Sequence, residues 1–215
     1  NFKVLVGNKI IQELRIIAKN ILVNINHEWP IGNGERKLLG TIWSYLALSN
    51  DRNVQNNCVD SISHSSMTIA RAALEALRPL DSPKTEEASN LFYNLWKDNP
   101  VVLDSWFAYE ASRPNKKGID VIEKLLSHSR FDWKAPNAIR AVLLGFSKNI
   151  ELFHSLDGQG YLFMAEKLIE VDKINPITAS RMVKVFSKWK TYVDKNKEEM
   201  YKSILKINKA NISSN

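Results

Sequence analysis

The sequence predicts an all-α protein, and three observations support this fold class. Apolar residues recur with helical spacing through most of the 215 residues. Asn-Pro pairs stand where helices are expected to begin. The strict alternation of apolar and polar residues that is typical of strands is absent.

About eleven antiparallel helices are predicted, joined by linkers that are mostly short. Pairs of helices have roughly the length of one repeat in helical-repeat proteins, which predicts an armadillo-like or HEAT-like superhelix. No long Ser/Gly-rich tract divides the chain, so residues 1–215 are expected to form a single helical domain. The predicted helices are 8–26, 34–49, 52–63, 66–78, 83–97, 100–112, 117–128, 135–147, 158–172, 176–190 and 194–209.

Apolar stripes and start signals support several of the predicted helices. Stripes of apolar residues three or four positions apart predict the buried faces of the first, fifth, eighth and ninth helices. Asn99-Pro100 and Asn175-Pro176 predict two helix starts, each with an Asn cap and Pro in the first turn. The four stripes are Ile10/Leu14/Ile17/Ile21, Ala88/Leu91/Phe92/Leu95, Ile139/Val142/Leu143/Phe146 and Tyr161/Met164/Ala165/Leu168.

Composition narrows the class of protein. The chain is 44% hydrophobic with a net charge of +7, and no apolar run is long enough to span a membrane. The single cysteine rules out an internal disulfide and predicts a reducing compartment, the cytoplasm. The lysines are spread along the chain and arginines are few, so nucleic acid and membrane are not expected as partners. The start lacks both Met and signal-peptide features, which predicts a piece of a longer protein.

No catalytic or metal site is predicted within this chain. His27-Glu28 resembles the start of H-E-x-x-H, but Ile31 stands in place of the second His and Pro30 would break the helical turn. His64, His128 and His154 have no metal-ligand spacing and are expected at surfaces or helix ends. Cys58 has no cationic neighbour and is expected to be a small buried residue rather than a nucleophile.

The stretch Asp157-Gly158-Gln159-Gly160 precedes an apolar helix and resembles a phosphate-binding turn. It lacks the third glycine, the preceding strand and the distal acidic residue of a dinucleotide site. We therefore expect a junction between helices, with Asp157 as N-cap and the glycines allowing a sharp turn.

The helix predicted over 176–190 carries the one functional indication from the residues themselves. At about 100° per residue, one face is apolar and the opposite face is basic. Such a basic face is either a solvated surface or a cationic rim that meets carboxylates, with Arg181 as the best-suited group. The apolar face has Met182, Val185, Phe186 and Trp189, and the opposite face has Ile177, Arg181, Lys184 and Lys188.

Several segments, in the same order, resemble the C-terminal region of one family of zinc-dependent exopeptidases. The resemblance runs from about Gly34 to about Ile207 and is to aminopeptidase N, the zinc alanyl aminopeptidase of the gluzincin group, in its bacterial and protozoan type. The first thirty residues match poorly. The segments are LFYNLWKDNPVVLDSWFAYEAS, FDWKAPNAIRAVLLGF, FHSLDGQGYLFMAEKLIEVDKINPITASR and the Lys-rich last helix.

The resemblance implies a role that the residues alone do not. Family members are multidomain enzymes that remove N-terminal residues from peptides at one zinc ion, and their H-E-x-x-H, distal Glu and G-A-M-E-N motifs are not present here. It implies a non-catalytic C-terminal domain, without cofactor of its own, that caps the active site of the catalytic domain of the same polypeptide and shapes the substrate channel. Within NPITASR, Ile177 and Arg181 match family residues that face the cavity for peptide substrates.

A second interpretation remains open from the sequence. The chain could be a free-standing helical-repeat scaffold that binds acidic proteins or nucleic acid through its charge of +7. Binding to heparin that weakens steeply with salt would favour this alternative.

Overall fold

The computed structural model describes residues 2–25, 31–49, 51–114 and 118–210, and all regular structure within them is helical. These residues form thirteen α-helices and four short 3₁₀ segments. The predicted all-α class is confirmed. The helices are α1 Phe2–Lys9, α2 Ile11–Asn24, α3 Asn33–Leu46, α4 Arg52–Asp60, α5 Met67–Leu77, α6 Pro83–Trp96, α7 Pro100–Ala111, α8 Asp120–Leu126, α9 Pro136–Phe146, α10 Ile150–Phe153, α11 Gln159–Asp172, α12 Pro176–Met182 and α13 Asp194–Lys209, and the 3₁₀ segments are Ala47–Ser49, Ser61–Ser63, Val183–Phe186 and Trp189–Thr191.

The structure differs from the predicted helices in several places. The helices expected over 34–49 and 52–63 end at Leu46 and Asp60 and continue as short 3₁₀ segments. The single helix expected over 8–26 is two helices that break at Ile10, where the backbone leaves the helical region. The four-residue α10 was not predicted, because one helical turn is too short to show a periodic pattern. The helix expected over 176–190 ends at Met182 and continues as 3₁₀ structure.

The chain divides into two compact units, Asn1–Asp98 and Asn99–Asn215. In the first unit, α3 makes its most extensive contacts with α5. Gly40 allows this close packing, because a Cβ atom there would lie 2.8 Å from the Cβ of Ala72. Trp43 fills the centre of the unit almost without exposure. The single helical domain over 1–215 stays a prediction.

In the second unit, the most extensive contacts join α7 to α9 and α11 to α13. Gly145 of α9 lies against the backbone of α7, where an added Cβ would meet the carbonyl oxygen of Ala108 at 2.8 Å. Phe146 packs edge-to-face on both Phe153 and Phe163. Consecutive helices also touch, but in both units alternate helices share the largest contacts, as expected when two-helix repeats stack on one another.

The predicted helix starts and two of the apolar stripes are confirmed. The side chain of Asn99 accepts a hydrogen bond from the Val102 N–H, and that of Asn175 accepts one from the Thr178 N–H. The stripes of α9 and α11 are buried. The stripe predicted for the first helix is wrong, since Ile10 and Ile17 are exposed and only Ala18 of α2 is buried. In α6 the end of the stripe, Leu95, is exposed as well.

Candidate functional site

The two residues predicted to face a substrate lie together on one side of α12. Asn175 caps this helix and Pro176 opens it, so the first turn is well defined. Thr178, Ala179 and Met182 point into the core. Ile177, at 57% exposure, and Arg181 are four residues apart and share the outer face.

Arg181 is available for a ligand. Its side chain is exposed, and within the described part of the chain it makes no hydrogen bond or ion pair. Lys184 and Lys188 farther along are also exposed. The cations predicted for the basic face are therefore each at the surface, and the guanidinium of Arg181 is free to form paired hydrogen bonds with a carboxylate.

The helical geometry assumed for this face is wrong beyond Met182. The Ser187 N–H donates to the carbonyl of Lys184, three residues back, at 3.0 Å, and the Thr191 N–H donates to that of Lys188 at 2.9 Å. These are 3₁₀ bonds, which advance the chain by about 120° per residue instead of about 100°. Phe186 stays buried.

The 3₁₀ geometry also changes which residues of the predicted apolar face are buried. Val185 and Trp189, predicted to be core residues, are only partly buried. The Trp189 ring stacks on Tyr201 of α13 with 5.0 Å between the ring centroids. This tryptophan therefore belongs to the surface between the 3₁₀ turn and the last helix, and it does not extend the core stripe of α12.

The glycine-rich stretch before α11 is a helix junction, as predicted, but its cap residue differs. Gly158, with φ of 74°, is the N-cap, and Asp157 precedes it. The Asp157 carboxylate accepts hydrogen bonds from the Gln159 N–H at 3.0 Å and the Ser155 hydroxyl at 2.7 Å. These two bonds lower the pKa of Asp157. A carboxylate thus already occupies this helix start, and its charge would repel a phosphate.

A polar network around His154 was not foreseen from the sequence. The Tyr161 hydroxyl lies 2.6 Å from His154 Nδ1, and the Tyr192 hydroxyl lies 3.3 Å from Nε2. The Asn196 side chain donates to the Tyr161 hydroxyl at 2.8 Å and to the His154 carbonyl at 2.9 Å. The Tyr161 hydroxyl therefore bridges the Asn196 amide, from which it accepts, and Nδ1 of His154.

This network anchors the chain that follows the basic face. Tyr192 ends the last 3₁₀ turn, and its ring stacks on His154 with centroids 4.9 Å apart. Burial lowers the pKa of His154, which favours the neutral imidazole. The hydrogen bonds of Tyr192 with His154 and of Asn196 with His154 and Tyr161 join residues 35 to 42 positions apart. No local sequence pattern predicts contacts over that separation.

The remaining candidate residues have structural explanations. Cys58 is fully buried, and burial raises the pKa of its thiol to about 12, so it is not a nucleophile at neutral pH. The ring nitrogens Nδ1 of His64 and His128 accept hydrogen bonds from nearby backbone N–H groups. His27-Glu28 lies outside the described residues.

Within the ranges that the structure describes, no group of three or more His, Cys, Asp or Glu side chains is placed to hold a metal ion. No helix among the described residues is both long and apolar enough to cross a membrane.

Sequence comparison finds relatives among bacterial aminopeptidases. The chain is 29% identical to aminopeptidase N of Caulobacter vibrioides over 178 residues, which is 74% of this chain and 21% of that protein. It is 34% identical to aminopeptidase N of Escherichia coli over 135 residues, which is 62% of this chain and 16% of that protein. The matched region is thus about a fifth or less of each relative.

The crystal structure of another bacterial aminopeptidase contains a region with the same fold. The crystal structure of Legionella pneumophila aminopeptidase A in complex with aspartic acid superposes with a TM-score of 0.83. The alignment covers 99% of this chain and 26% of that one, at 24% sequence identity. At this level of identity the comparison establishes the fold alone.

The sequence model of one family, described as a domain of unknown function (DUF3458_C) with ARM repeats, matches residues 6–215. The match includes the first helices, for which the segment resemblance was poor. It also agrees with the large contacts between alternate helices. The chain therefore belongs to the DUF3458_C family of ARM-repeat domains.

Proposed function

We propose that this chain is the non-catalytic C-terminal domain of a zinc-dependent aminopeptidase that removes N-terminal residues from peptides. The observation that carries the proposal is the similarity to aminopeptidase N over most of the chain, with 29% identity across 178 residues. In this proposal the helices cap the active site of a catalytic domain in the same polypeptide and shape the channel through which peptides reach it.

In this proposal the catalytic domain carries out the reaction, and this chain positions the peptide. A catalytic zinc needs three protein ligands and an open position, and the described residues of this chain do not provide such a group. The zinc and the general base would therefore lie on the catalytic domain. The chain described here contributes contacts that bind and orient the peptide.

Arg181 is the residue best placed for such a contact. Its guanidinium is exposed on α12 and has no partner among the described residues, so binding a peptide would not require an existing ion pair to break. It presents paired donors to a peptide carbonyl or carboxylate. Ile177, one turn earlier on the same face, offers an apolar surface for a neighbouring side chain of the peptide.

A further feature concerns the compartment of the longer enzyme. The single cysteine of this chain is a buried thiol, which fits a reducing compartment such as the cytoplasm.

The test is steady-state kinetics of the longer enzyme with Arg181→Ala, Arg181→Lys and Ile177→Ala, with Lys148→Ala as control. Lys148 is also exposed in the second unit but lies in the turn after α9. Loss of a charge-assisted contact of about 1.5–3 kcal/mol predicts that kcat/KM falls about tenfold to a hundredfold in Arg181→Ala. The loss should be mainly in KM, because the reacting groups lie elsewhere.

Arg181→Lys should recover only part of this loss, since an ammonium group lacks the paired donors of the guanidinium. The melting temperature of all variants should stay close to that of the unmodified enzyme. An unchanged KM for every peptide tested would contradict the proposal. So would an equal loss in Lys148→Ala.

A further inference from the structure

Almost all of the net positive charge of this chain resides in one segment, residues 173–197. The segment has seven of the 30 Lys and Arg residues but one of the 23 Asp and Glu residues, so it carries +6 of the total of +7. The lysines are spread along the chain, as the sequence analysis stated, but the acidic residues that neutralise them elsewhere are missing here. The seven cations are Lys173, Arg181, Lys184, Lys188, Lys190, Lys195 and Lys197.

The cations of the segment also lack salt bridges among the described residues, although Lys195 is close enough to Asp157 to help lower the pKa of that carboxyl. Elsewhere, lysines such as Lys84 and Lys124 form salt bridges with acidic residues three or four positions away in the same helix. Among the described residues, none of the seven cations of the segment forms a salt bridge, and all seven are exposed. An anionic partner could therefore form favourable interactions with these cations without first breaking a salt bridge.

Three of the lysines surround the stacked rings of Trp189 and Tyr201. Lys188 and Lys190 flank Trp189 in the chain, and the Lys190 ammonium lies over the Trp189 ring, 5.6 Å from its centroid. Lys197 precedes Tyr201 by one turn of α13, which places it on the same side of that helix. We call Lys188, Trp189, Lys190, Lys197 and Tyr201 the cationic–aromatic surface.

Few acidic groups neighbour this surface. Asp194 begins α13, and Glu198 lies three residues before Tyr201 on the same helix. Glu199 is engaged with Lys202 at 2.7 Å. Positive charge thus predominates around the stacked rings.

We propose that the cationic–aromatic surface binds acidic segments of peptides and draws them toward Arg181. This inference rests on the proposed function, in which the partner of the chain is a peptide. Lysines suit it because their flexible, fully hydrated charges attract carboxylates without demanding a fixed register. Clustered charge of one sign also raises the local concentration and the association rate of oppositely charged ligands.

The same residues argue against nucleic acid as the partner. Arg181 is the one arginine in the segment, whereas phosphate and base recognition favour arginine. Single-stranded nucleic acids are bound by stacking bases on open aromatic faces. Here one face of Trp189 is covered by Tyr201, and Lys190 lies over the ring.

The experiment measures binding of this chain to a fluorescent Glu-rich peptide by anisotropy, next to the same peptide with Gln in place of Glu. The test variant is the triple substitution Lys188→Gln, Lys190→Gln and Lys197→Gln. The matched control, Lys19→Gln with Lys134→Gln and Lys148→Gln, removes the same amount of charge from exposed lysines elsewhere that form no salt bridge among the described residues. Circular dichroism checks that both variants are folded.

We expect the Glu-rich peptide to bind and the Gln peptide not to bind. Affinity should fall about tenfold in the test variant, as three exposed charge contacts are lost, and about twofold or less in the control. It should also fall as salt is raised from about 0.05 M to about 0.2 M, as the screening length shortens.

Equal losses in the test and control variants would overturn the proposal, because binding would then follow net charge alone. Tighter binding of a single-stranded oligonucleotide of the same charge, abolished in the test variant, would assign the surface to nucleic acid instead. The outcome is separable from that of the proposed function. If peptide binding fails here while Arg181→Ala still raises KM in the longer enzyme, only the role of this surface is wrong.

Discussion

Replacing Gly160 by alanine should unfold the junction between α10 and α11 locally and destabilise the second unit. Gly160 is the second residue of α11, and its backbone lies directly against the end of α10. An added Cβ would be 2.6 Å from the carbonyl oxygen of Leu152 and 2.5 Å from that of Phe153. Both are backbone atoms, so no side-chain rotation relieves the clash.

The expected loss in the free energy of unfolding is the balance of two opposing effects. Overpacking of this kind costs about 1–3 kcal/mol, and more where only the backbone can move. Alanine regains about 0.5–1 kcal/mol over glycine inside a helix. We therefore expect a net loss of about 2 kcal/mol, which corresponds to a decrease in melting temperature of about 4–8 °C for a chain of this size.

Gly34→Ala is the matched control. Gly34 is also the second residue of its helix, α3, but apart from its own helix backbone and chain neighbours, no atom of the described residues lies within 4 Å of a Cβ built there. This substitution should stabilise the chain by about 0.5–1 kcal/mol. Calorimetry gives the melting temperatures, and hydrogen exchange of peptides from α10 and α11 shows where protection is lost. A Gly160→Ala chain that melts like the unmodified one, with unchanged exchange in α11, would refute the close approach seen here.

Two further predictions concern His154 and zinc. Burial lowers the pKa of His154 in the folded chain below the value of about 6.5 expected when unfolded, so the unfolded state binds more protons between these two values. The stabilising contribution is therefore complete above about pH 6.5 and is lost as pH falls through the lowered pKa. Urea unfolding from about pH 5 to about pH 8 should show a flatter profile for His154→Gln than for the unmodified chain, and parallel profiles would contradict this. His128, whose pKa is lowered by burial and by Arg130, contributes in the same direction to both proteins and cancels in the comparison. For zinc, elemental analysis of the dialysed chain should find no stoichiometric metal, since the described residues offer no ligand group, and one tightly held zinc per chain would show that this is wrong.

Local signals in the sequence were sufficient for most of the helices. Asn99-Pro100 and Asn175-Pro176 each combine a side-chain acceptor with a residue that needs no hydrogen-bond partner, and both start helices as expected. The stripe from Ile139 to Phe146 predicted a buried face correctly. Such features depend only on neighbours within a few residues.

Features decided by distant contacts were not predictable. The apolar residues after Met182 have a spacing that fits an α-helix, yet the 3₁₀ bonds bring Phe186 into the core and leave Trp189 to stack on Tyr201. The His154 network joins residues up to 42 positions apart. Ile10 and Ile17 have the spacing of a buried stripe, but the described part of the chain does not cover them.

Of the candidate site, the sequence predicted exposure of Ile177 and Arg181 correctly. It did not predict how far the helix beneath them extends, because a 3₁₀ turn and an α-turn have similar local preferences. The concentration of charge in residues 173–197 was present in the sequence. This concentration of charge is visible only when the positions of acidic and basic residues are compared, since the lysines alone are spread along the chain.

The burial of Cys58 has a practical consequence for following the opening of the first unit. It is the only thiol in the chain and lies on the buried face of α4, fully shielded from solvent. Thiolate is the reactive form, so both shielding and the raised pKa protect it from alkylating reagents in the folded state. The rate at which this one sulfur is modified in native buffer therefore reports how often the first unit opens, without any added label and without a signal from the second unit.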